Sequence, residues 1–124
     1  MNTPLALLLY DELFPGSQLV NRLQDLGYRT HLVSEASRLA EEADREKPMI
    51  VVADLESRTE DVCAAIHRLK ANPATAHVPV IAFADPNNQQ LAQQAQAAGA
   101  TLVVTDVTIL MHLPQFLEQA LALE

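Results

Sequence analysis

Lysine and arginine are missing from the chain after residue 70. All eight basic residues lie between Arg22 and Lys70, whereas residues 71–124 carry four acidic side chains, and the net charge of the whole chain is −8. A protein that binds DNA or RNA normally presents a basic patch that neutralises phosphates and releases counterions. We therefore expect no nucleic-acid partner.

Cysteine and long apolar runs are also scarce. Cys63 is the only cysteine, so no internal disulfide can form, which fits a reducing compartment. The apolar residues 4–9 are too few for a signal peptide and lack its basic flank. No apolar run approaches the roughly 20 residues that span a bilayer. These features predict a cytoplasmic protein without a membrane partner.

The length of 124 residues suits one domain, and 49% of the residues are hydrophobic. That content is enough for a full core without metal or disulfide crosslinks. We expect a single domain over residues 1–124 with no output domain.

Five short apolar runs are typical of β-strands. The most distinct one, residues 49–53, follows Pro48 and ends in Asp54. A continuous run of this length with β-branched members is typical of a strand buried on both faces. The other candidate strands are residues 5–10, 28–33, 78–84 and 101–104.

Five candidate helices alternate with these strands. The first follows a loop that contains Pro15, Gly16 and Ser17; it has Leu19, Val20, Leu23 and Leu26 at helical spacing and stops at Gly27. Ser34 is the candidate N-cap of the second helix, and Ser57 or Thr59 that of the third. The fourth starts after the turn at residues 85–88 and stops at Gly99. The last carries apolar residues from 113 to 121.

Strict alternation of strands and helices predicts a parallel sheet with right-handed crossovers and helices on both faces. We predict the α/β, flavodoxin-like, doubly wound version: five strands in the order 2-1-3-4-5 with five helices. Ligands of such folds bind beyond the carboxyl ends of the strands, at the switch point between strands one and three. Asp11 and Asp54 are expected to be neighbours there.

Over essentially all of its residues, the chain resembles a CheY-like receiver domain of two-component response regulators. It resembles a degenerate variant, in which several of the family's functional residues are replaced. The resemblance rests on Asp11, on Asp54, on the turns at residues 26–28 and 98–100, and on the fourth strand at residues 78–81. It implies transfer of a phosphoryl group from a histidine kinase to Asp54, with Mg²⁺ held by two acids after strand one. It also implies a hydroxyl at the end of strand four, a lysine at the end of strand five and an aromatic residue on strand five.

Several of these switch groups are replaced in this sequence. Tyr10 stands in place of one of the paired acids, and Ala84 in place of the hydroxyl. The lysine position falls on Asp106 and the aromatic position on Val103. Near a protein surface, a charge pair at about 4 Å is worth roughly 4 kcal/mol before screening. Exchanging lysine for aspartate removes one such attraction and adds a comparable repulsion against a phosphoryl group, so we expect the phosphorylation switch to be lost.

The same positions predict an acidic pocket formed by Asp11, Asp54, Glu56 and Asp106. Carboxylate oxygens are the ligands that hard cations prefer. We expect no required cofactor, and at most weak Mg²⁺ or Ca²⁺ binding by Asp11, Asp54 and Glu56. The alternative is mutual repulsion of the carboxylates, moderated by raised pKa values and by solvent.

A second feature is the apolar segment before the last helix. Ile109, Leu110, Met111 and Leu113 are unusually apolar for a loop. They indicate either local packing or a partner or dimer surface on the face that receivers commonly use, formed by the fourth helix, the fifth strand and the last helix. The absence of basic residues there fits an apolar or basic partner.

The sequence thus favours a non-enzymatic, stand-alone signalling module that acts by protein–protein interaction without phosphorylation. Its partner is a histidine kinase, a downstream effector or a second copy. The alternative is a phospho-accepting regulator that uses Asp54 with Mg²⁺. A flavodoxin-like cofactor binder or enzyme is disfavoured, because the loop after strand one opens with two acids that would repel phosphate.

Overall fold

The structure is a computed structural model that describes residues 3–11, 13–57 and 60–123. A five-stranded parallel sheet forms the centre of this part of the chain. The strands are β1 (Leu5–Leu9), β2 (Arg29–Leu32), β3 (Ile50–Asp54), β4 (Val80–Ala84) and β5 (Leu102–Thr105). Their order is β2-β1-β3-β4-β5. Both the class of fold and the strand order predicted from the sequence are confirmed.

Six α-helices connect or follow the strands in the described residues. They are α1 (Leu13–Asp25), α2 (Leu39–Glu46), α3 (Val62–Ala71), α4 (Gln89–Ala98), α5 (Asp106–Met111) and α6 (Leu113–Leu123), with a 3-10 turn at Ala36–Arg38 before α2. None of these described helices has the length and apolar character needed to cross a membrane.

Side chains of each central strand point alternately to the two faces of the sheet, as the pleat requires. Leu7 and Val51 lie in the core between the sheet and α2, α3 and α4. Leu8 and Val52 lie in the core between the sheet and α1, α5 and α6. β1, β3 and β4 are buried over their whole length. This double burial explains why their sequences are continuous apolar runs.

The start of α1 differs from the prediction. The helix begins at Leu13, so Pro15, Gly16 and Ser17 belong to it and not to a loop. Proline is compatible with a first helical turn, because the N–H groups there have no partner within the helix. Leu26, which the helical spacing includes in the first helix, lies beyond the helix end and is exposed. Gly27, at a φ of 93°, ends the helix as predicted.

The segment predicted as an apolar loop before the last helix is instead the additional helix α5. The Thr105 hydroxyl accepts a hydrogen bond from the Thr108 backbone N–H, and the Thr108 hydroxyl accepts one from the Thr105 N–H. These reciprocal bonds satisfy two donors of the first turn and so stabilise a helix of only six residues.

Two other predicted helix starts were wrong. Ser34 does not cap α2, which begins at Leu39 after the 3-10 turn. Asp61, and not Ser57, is the N-cap of α3, because its side chain accepts a hydrogen bond from the Ala64 N–H. Thr59, the other predicted cap, lies outside the described residues. In contrast, Asn88 caps α4 and Gly99 ends it, in agreement with the predicted bounds.

Candidate functional site

Asp54 is the last residue of β3, the central strand of the sheet. Its carboxylate lies at the carboxyl edge between β1 and β4, and only 9% of the residue is exposed. The Oδ1 atom accepts a hydrogen bond of 2.9 Å from the Glu56 backbone N–H. The strand therefore delivers a nearly buried carboxylate to the position that the sequence predicts.

Burial is the main cause that raises the pKa of Asp54 above its ordinary value. The hydrogen bond from the Glu56 N–H opposes this shift, while the carboxylates of Glu56, Asp11 and Asp106 add to it by repulsion. The four acids of the predicted acidic pocket are thus close enough to interact electrostatically around Asp54. The functional roles of these four acids, in phosphoryl transfer or in cation binding, stay predictions.

Asp11 lies just beyond β1 and is exposed. Its Oδ2 atom accepts a hydrogen bond of 2.8 Å from the Ser57 hydroxyl. The same hydroxyl oxygen accepts a bond of 3.1 Å from the Glu60 N–H. The loop after β3 is thereby connected to the loop after β1. The sequence reasoning missed this role of Ser57.

Glu56 points toward the loop between β4 and α4. Its Oε2 atom accepts a hydrogen bond of 3.0 Å from the Asp85 backbone N–H. Its Oε1 atom accepts one of 3.2 Å from the Asn88 side-chain amide. Both carboxylate oxygens of Glu56 therefore have donors from that loop.

The predicted metal ligands are Asp11, Asp54 and Glu56. Among the described residues, no group of three or more histidine, cysteine, aspartate or glutamate side chains is placed to hold a metal ion. Glu56 bonds to the β4–α4 loop and Asp11 to Ser57. Weak Mg²⁺ binding by these residues stays a prediction.

The predicted switch positions Ala84, Asp106 and Val103 lie on β4, on β5 or directly after β5. Ala84 is the last residue of β4, is 3% exposed and pairs in register with Thr105. Asp106 follows β5 directly as the first residue of α5. Val103 is half-buried on β5 and packs against the core beside α2, α3 and α4.

Tyr10, in place of an acid, packs its ring against α1. A Cβ atom built on Gly16 would lie 2.7 Å from Cγ of Tyr10 and closer still to Cδ2 and Cε2. The ring also contacts the core between the sheet and α1, α5 and α6. Tyrosine at position 10 and glycine at position 16 are therefore a matched pair.

The predicted interface is wrong for two of its four residues. Ile109 and Leu113 are 0% exposed and belong to the core, so they cannot contact a partner. Leu110 is half-buried and Met111 is 63% exposed. These two side chains lie beside α1, with which α5 is in contact.

A shallow groove of about 330 Å³ runs between α1 and α5, lined by Gln18, Arg22, Leu110 and Met111. The Arg22 guanidinium donates a hydrogen bond of 3.1 Å to the Leu110 carbonyl oxygen. Val107, on the same helix as Met111, is exposed as well. The exposed apolar surface of this part of the molecule is therefore centred on α5.

No known family model and no characterised relative matches the sequence. Solved structures do match. A putative response regulator from Chloroflexus aurantiacus J-10-fl has a TM-score of 0.88 at 16% identity, covering 98% of this chain and 99% of that one. The receiver domain of a sensor histidine kinase from Pseudomonas aeruginosa PAO1, with a magnesium ion in its active-site cleft, has a TM-score of 0.86 at 21% identity, covering 98% and 99%.

The chemotaxis protein CheY4 of Vibrio cholerae is also similar, with a TM-score of 0.83 at 14% identity, covering 96% of this chain and 99% of that one. All three matches extend over nearly the full length of both chains. The chain therefore has the fold of response regulator receiver domains.

Proposed function

We propose that the chain is a receiver-like signalling module that acts by protein–protein interaction without phosphorylation of Asp54. The observation that carries the proposal is the position of Asp106. The resemblance places a lysine at this position, yet here a carboxylate lies close enough to raise the pKa of Asp54. The apolar Ala84 at the end of β4 supplies no hydroxyl to replace the lost contact.

Electrostatics supports the same conclusion. A phosphoryl group adds a charge of about −1.5 to −2 at neutral pH. On Asp54 it would face Asp11, Glu56 and Asp106, whose repulsion already acts on the unmodified carboxylate. Near a protein surface, a pair of like charges at about 4 Å is unfavourable by roughly 4 kcal/mol before screening. An aspartate at position 106 therefore disfavours the phosphorylated form relative to a pocket with a lysine.

The structural neighbours support a signalling role with a protein partner. They include a chemotaxis protein and the receiver domain of a sensor histidine kinase. A histidine kinase, a downstream effector or a second copy of this chain is the partner that we propose. The exposed side chains of Val107 and Met111 beside the α1–α5 groove are the apolar contact surface that such a partner would use.

The test is incubation with a small acyl-phosphate donor and Mg²⁺, followed by intact-mass measurement. We expect no stable phosphoprotein. Stoichiometric acyl phosphate that persists in the control variant Asp61→Ala but is lost in Asp54→Ala would overturn the proposal. That result would instead support the alternative, a phospho-accepting regulator that uses Asp54 with Mg²⁺. A Mg²⁺ titration of the apo protein, monitored by amide chemical shifts around Asp11 and Asp54, tests cation binding separately.

The contact surface is tested by sedimentation velocity at increasing protein concentration. If the partner is a second copy, Met111→Asp lowers self-association because it places a charge in the apolar surface. Met49→Asp is the matched control, since Met49 is 45% exposed and precedes β3 at the opposite end of the sheet. A protein that stays monomeric at all concentrations excludes the second copy and leaves a different signalling protein as the partner.

A further inference from the structure

The loop between β4 and α4 is attached to the end of β3 through one carboxylate. The Asp85 backbone N–H bonds to Glu56 Oε2 at 3.0 Å, and the Asn88 amide bonds to Oε1 at 3.2 Å. The loop also has internal hydrogen bonds, from the Asn87 N–H to the Asp85 side chain at 2.8 Å and from the Asn88 N–H to the Asp85 carbonyl at 2.9 Å. Residues 85–88 are therefore expected to move as one unit, with Glu56 on one side.

Asn88 connects this unit to the helix that follows. It is the N-cap of α4, since its Oδ1 atom accepts a hydrogen bond of 3.3 Å from the Leu91 N–H. Its amide nitrogen simultaneously donates to Glu56. A single side chain thus bridges the Glu56 carboxylate and the first turn of α4.

Core burial fixes the start of α4 only in part, through Leu91, which packs against the core. Ala95, in the second half of the helix, is its only fully buried residue, and Gln89 and Gln90 in the first turn are exposed. Leu91 and Ala92 are only half-buried. Because apolar burial is the main stabilising contribution to packing, the position of this helix end depends heavily on its polar contacts. Hydrogen bonds to an ionised group are the stronger kind.

We propose that Glu56 is a positioning residue: its carboxylate is a built-in anion that holds the β4–α4 loop and the start of α4 in one arrangement without any ligand. The resemblance implies a hydroxyl at the end of strand four, where this loop begins. In this chain Ala84 has no hydroxyl, and Glu56 supplies the negative charge to the loop from within the protein. The consequence rests on the proposed function: without phosphorylation of Asp54, α4 presents the same surface at all times.

Amide hydrogen exchange over residues 85–98 measures the effect directly. Glu56→Ala removes both acceptors, and we expect exchange in residues 85–91 to rise by about tenfold. The matched control is Glu60→Ala. Glu60 belongs to the same loop after β3 but accepts from the Ala36 N–H at 2.8 Å, so exchange should rise near Ala36 and stay unchanged over residues 85–98.

A second variant separates the contact with Glu56 from ordinary helix capping. Aspartate is as good an N-cap as asparagine, so Asn88→Asp keeps the bond from the Leu91 N–H but places a carboxylate opposite Glu56. We expect exchange to rise as in Glu56→Ala. In the double variant Asn88→Asp with Glu56→Gln, the glutamine amide can donate to the new carboxylate, and exchange should return to the wild-type level.

Unchanged exchange over residues 85–98 in both Glu56→Ala and Asn88→Asp would overturn the inference. A rise in Asn88→Asp that the double variant does not reverse would also overturn it, because the effect would then come from the helix cap. Acyl phosphate on Asp54 of the wild-type protein is a separate result. It would overturn the proposed function while leaving the role of Glu56 in holding the loop intact.

Discussion

Gly16 lies so close to the Tyr10 ring that the native structure has no space for a methyl group at position 16. The Cβ atom of an alanine there would be 2.7 Å from Cγ of the ring and closer to Cδ2 and Cε2. Gly16 is buried within α1, and Tyr10 is held against the adjoining core. We predict that Gly16→Ala destabilises the protein, although alanine is the better helix former.

Two opposing contributions determine how much Gly16→Ala changes the free energy of unfolding. Alanine in place of glycine in a helix interior is worth about 1 kcal/mol of stabilisation. Overpacking a filled site costs about 1–3 kcal/mol, and the upper end applies because three ring carbons lie inside normal contact distance. The free energy of unfolding should therefore fall by about 2 kcal/mol.

The assay is urea unfolding of a double-mutant cycle between Gly16→Ala and Tyr10→Ala. Without the ring, the substitution at position 16 should stabilise the protein by about 1 kcal/mol, so that its effect changes sign. Gly27→Ala is the control glycine. Its φ of 93° disfavours alanine while no atom lies within 4 Å of the new Cβ, so it should cost about 1 kcal/mol with or without the Tyr10 ring.

Equal destabilisation by Gly16→Ala in both backgrounds would show that the ring is not what excludes a methyl group. A gain in stability in the wild-type background would show that the ring has room to move aside at no cost. Either result would refute the matched-pair explanation of Tyr10 and Gly16.

Substitutions at three further positions test the fold. Because burial and repulsion raise the pKa of Asp54, the ionised form destabilises the native state, and stability falls as pH rises from about 3.9 through the raised pKa. Asp54→Asn should thus be more stable than wild type at pH 7, with the difference in urea unfolding disappearing at low pH. Thr105→Val removes the cap of α5 and should cost about 1 kcal/mol, whereas Thr105→Ser should cost much less. Lys70→Met removes the Nζ bonds to the Ala76 and Val78 carbonyls, at 3.2 and 2.7 Å, and should lower the free energy of unfolding by about 1–2 kcal/mol.

Three of the strands could be predicted because a strand that is buried on both faces has a continuous apolar sequence. β1, β3 and β4 are buried on both faces, which requires an unbroken apolar run in each. The edge strand β2, with the sequence RTHL, carries a weaker signal because its residues are exposed or half-buried. Its assignment depended on the alternation of elements more than on its own composition.

The extra helix α5 was missed because its stabilising contacts are not a familiar sequence pattern. The usual capping box pairs a serine or threonine with a glutamate or glutamine three residues later, while here Thr105 pairs with Thr108. Ile109 and Leu113 lie in different helices, α5 and α6, so a single helical repeat does not predict that both are buried.

The gathering of acids around Asp54 followed from topology alone, since the carboxyl ends of parallel strands lie at one edge of the sheet. The side-chain directions of Glu56 and Ser57 did not. They depend on partners in other loops: the Asp85 N–H donates to Glu56, and the Ser57 hydroxyl donates to the Asp11 carboxylate. Such contacts between loops are specific to the folded chain and have no periodicity that a sequence would display.

These contacts bear on the predicted loss of switch groups. A nearly buried carboxylate beside other acids is tolerated when donors satisfy its oxygens, and in this pocket the donors come from the protein: the Glu56 N–H for Asp54, Ser57 for Asp11, and the β4–α4 loop for Glu56. Within the described residues, no buried side-chain polar atom lacks a partner. Replacing Asp106 by lysine would reverse one charge but would leave each of these bonds in place. In the proposed function, a signal therefore starts with a partner that binds the surface, because the donors around Asp54 are already bonded within the protein.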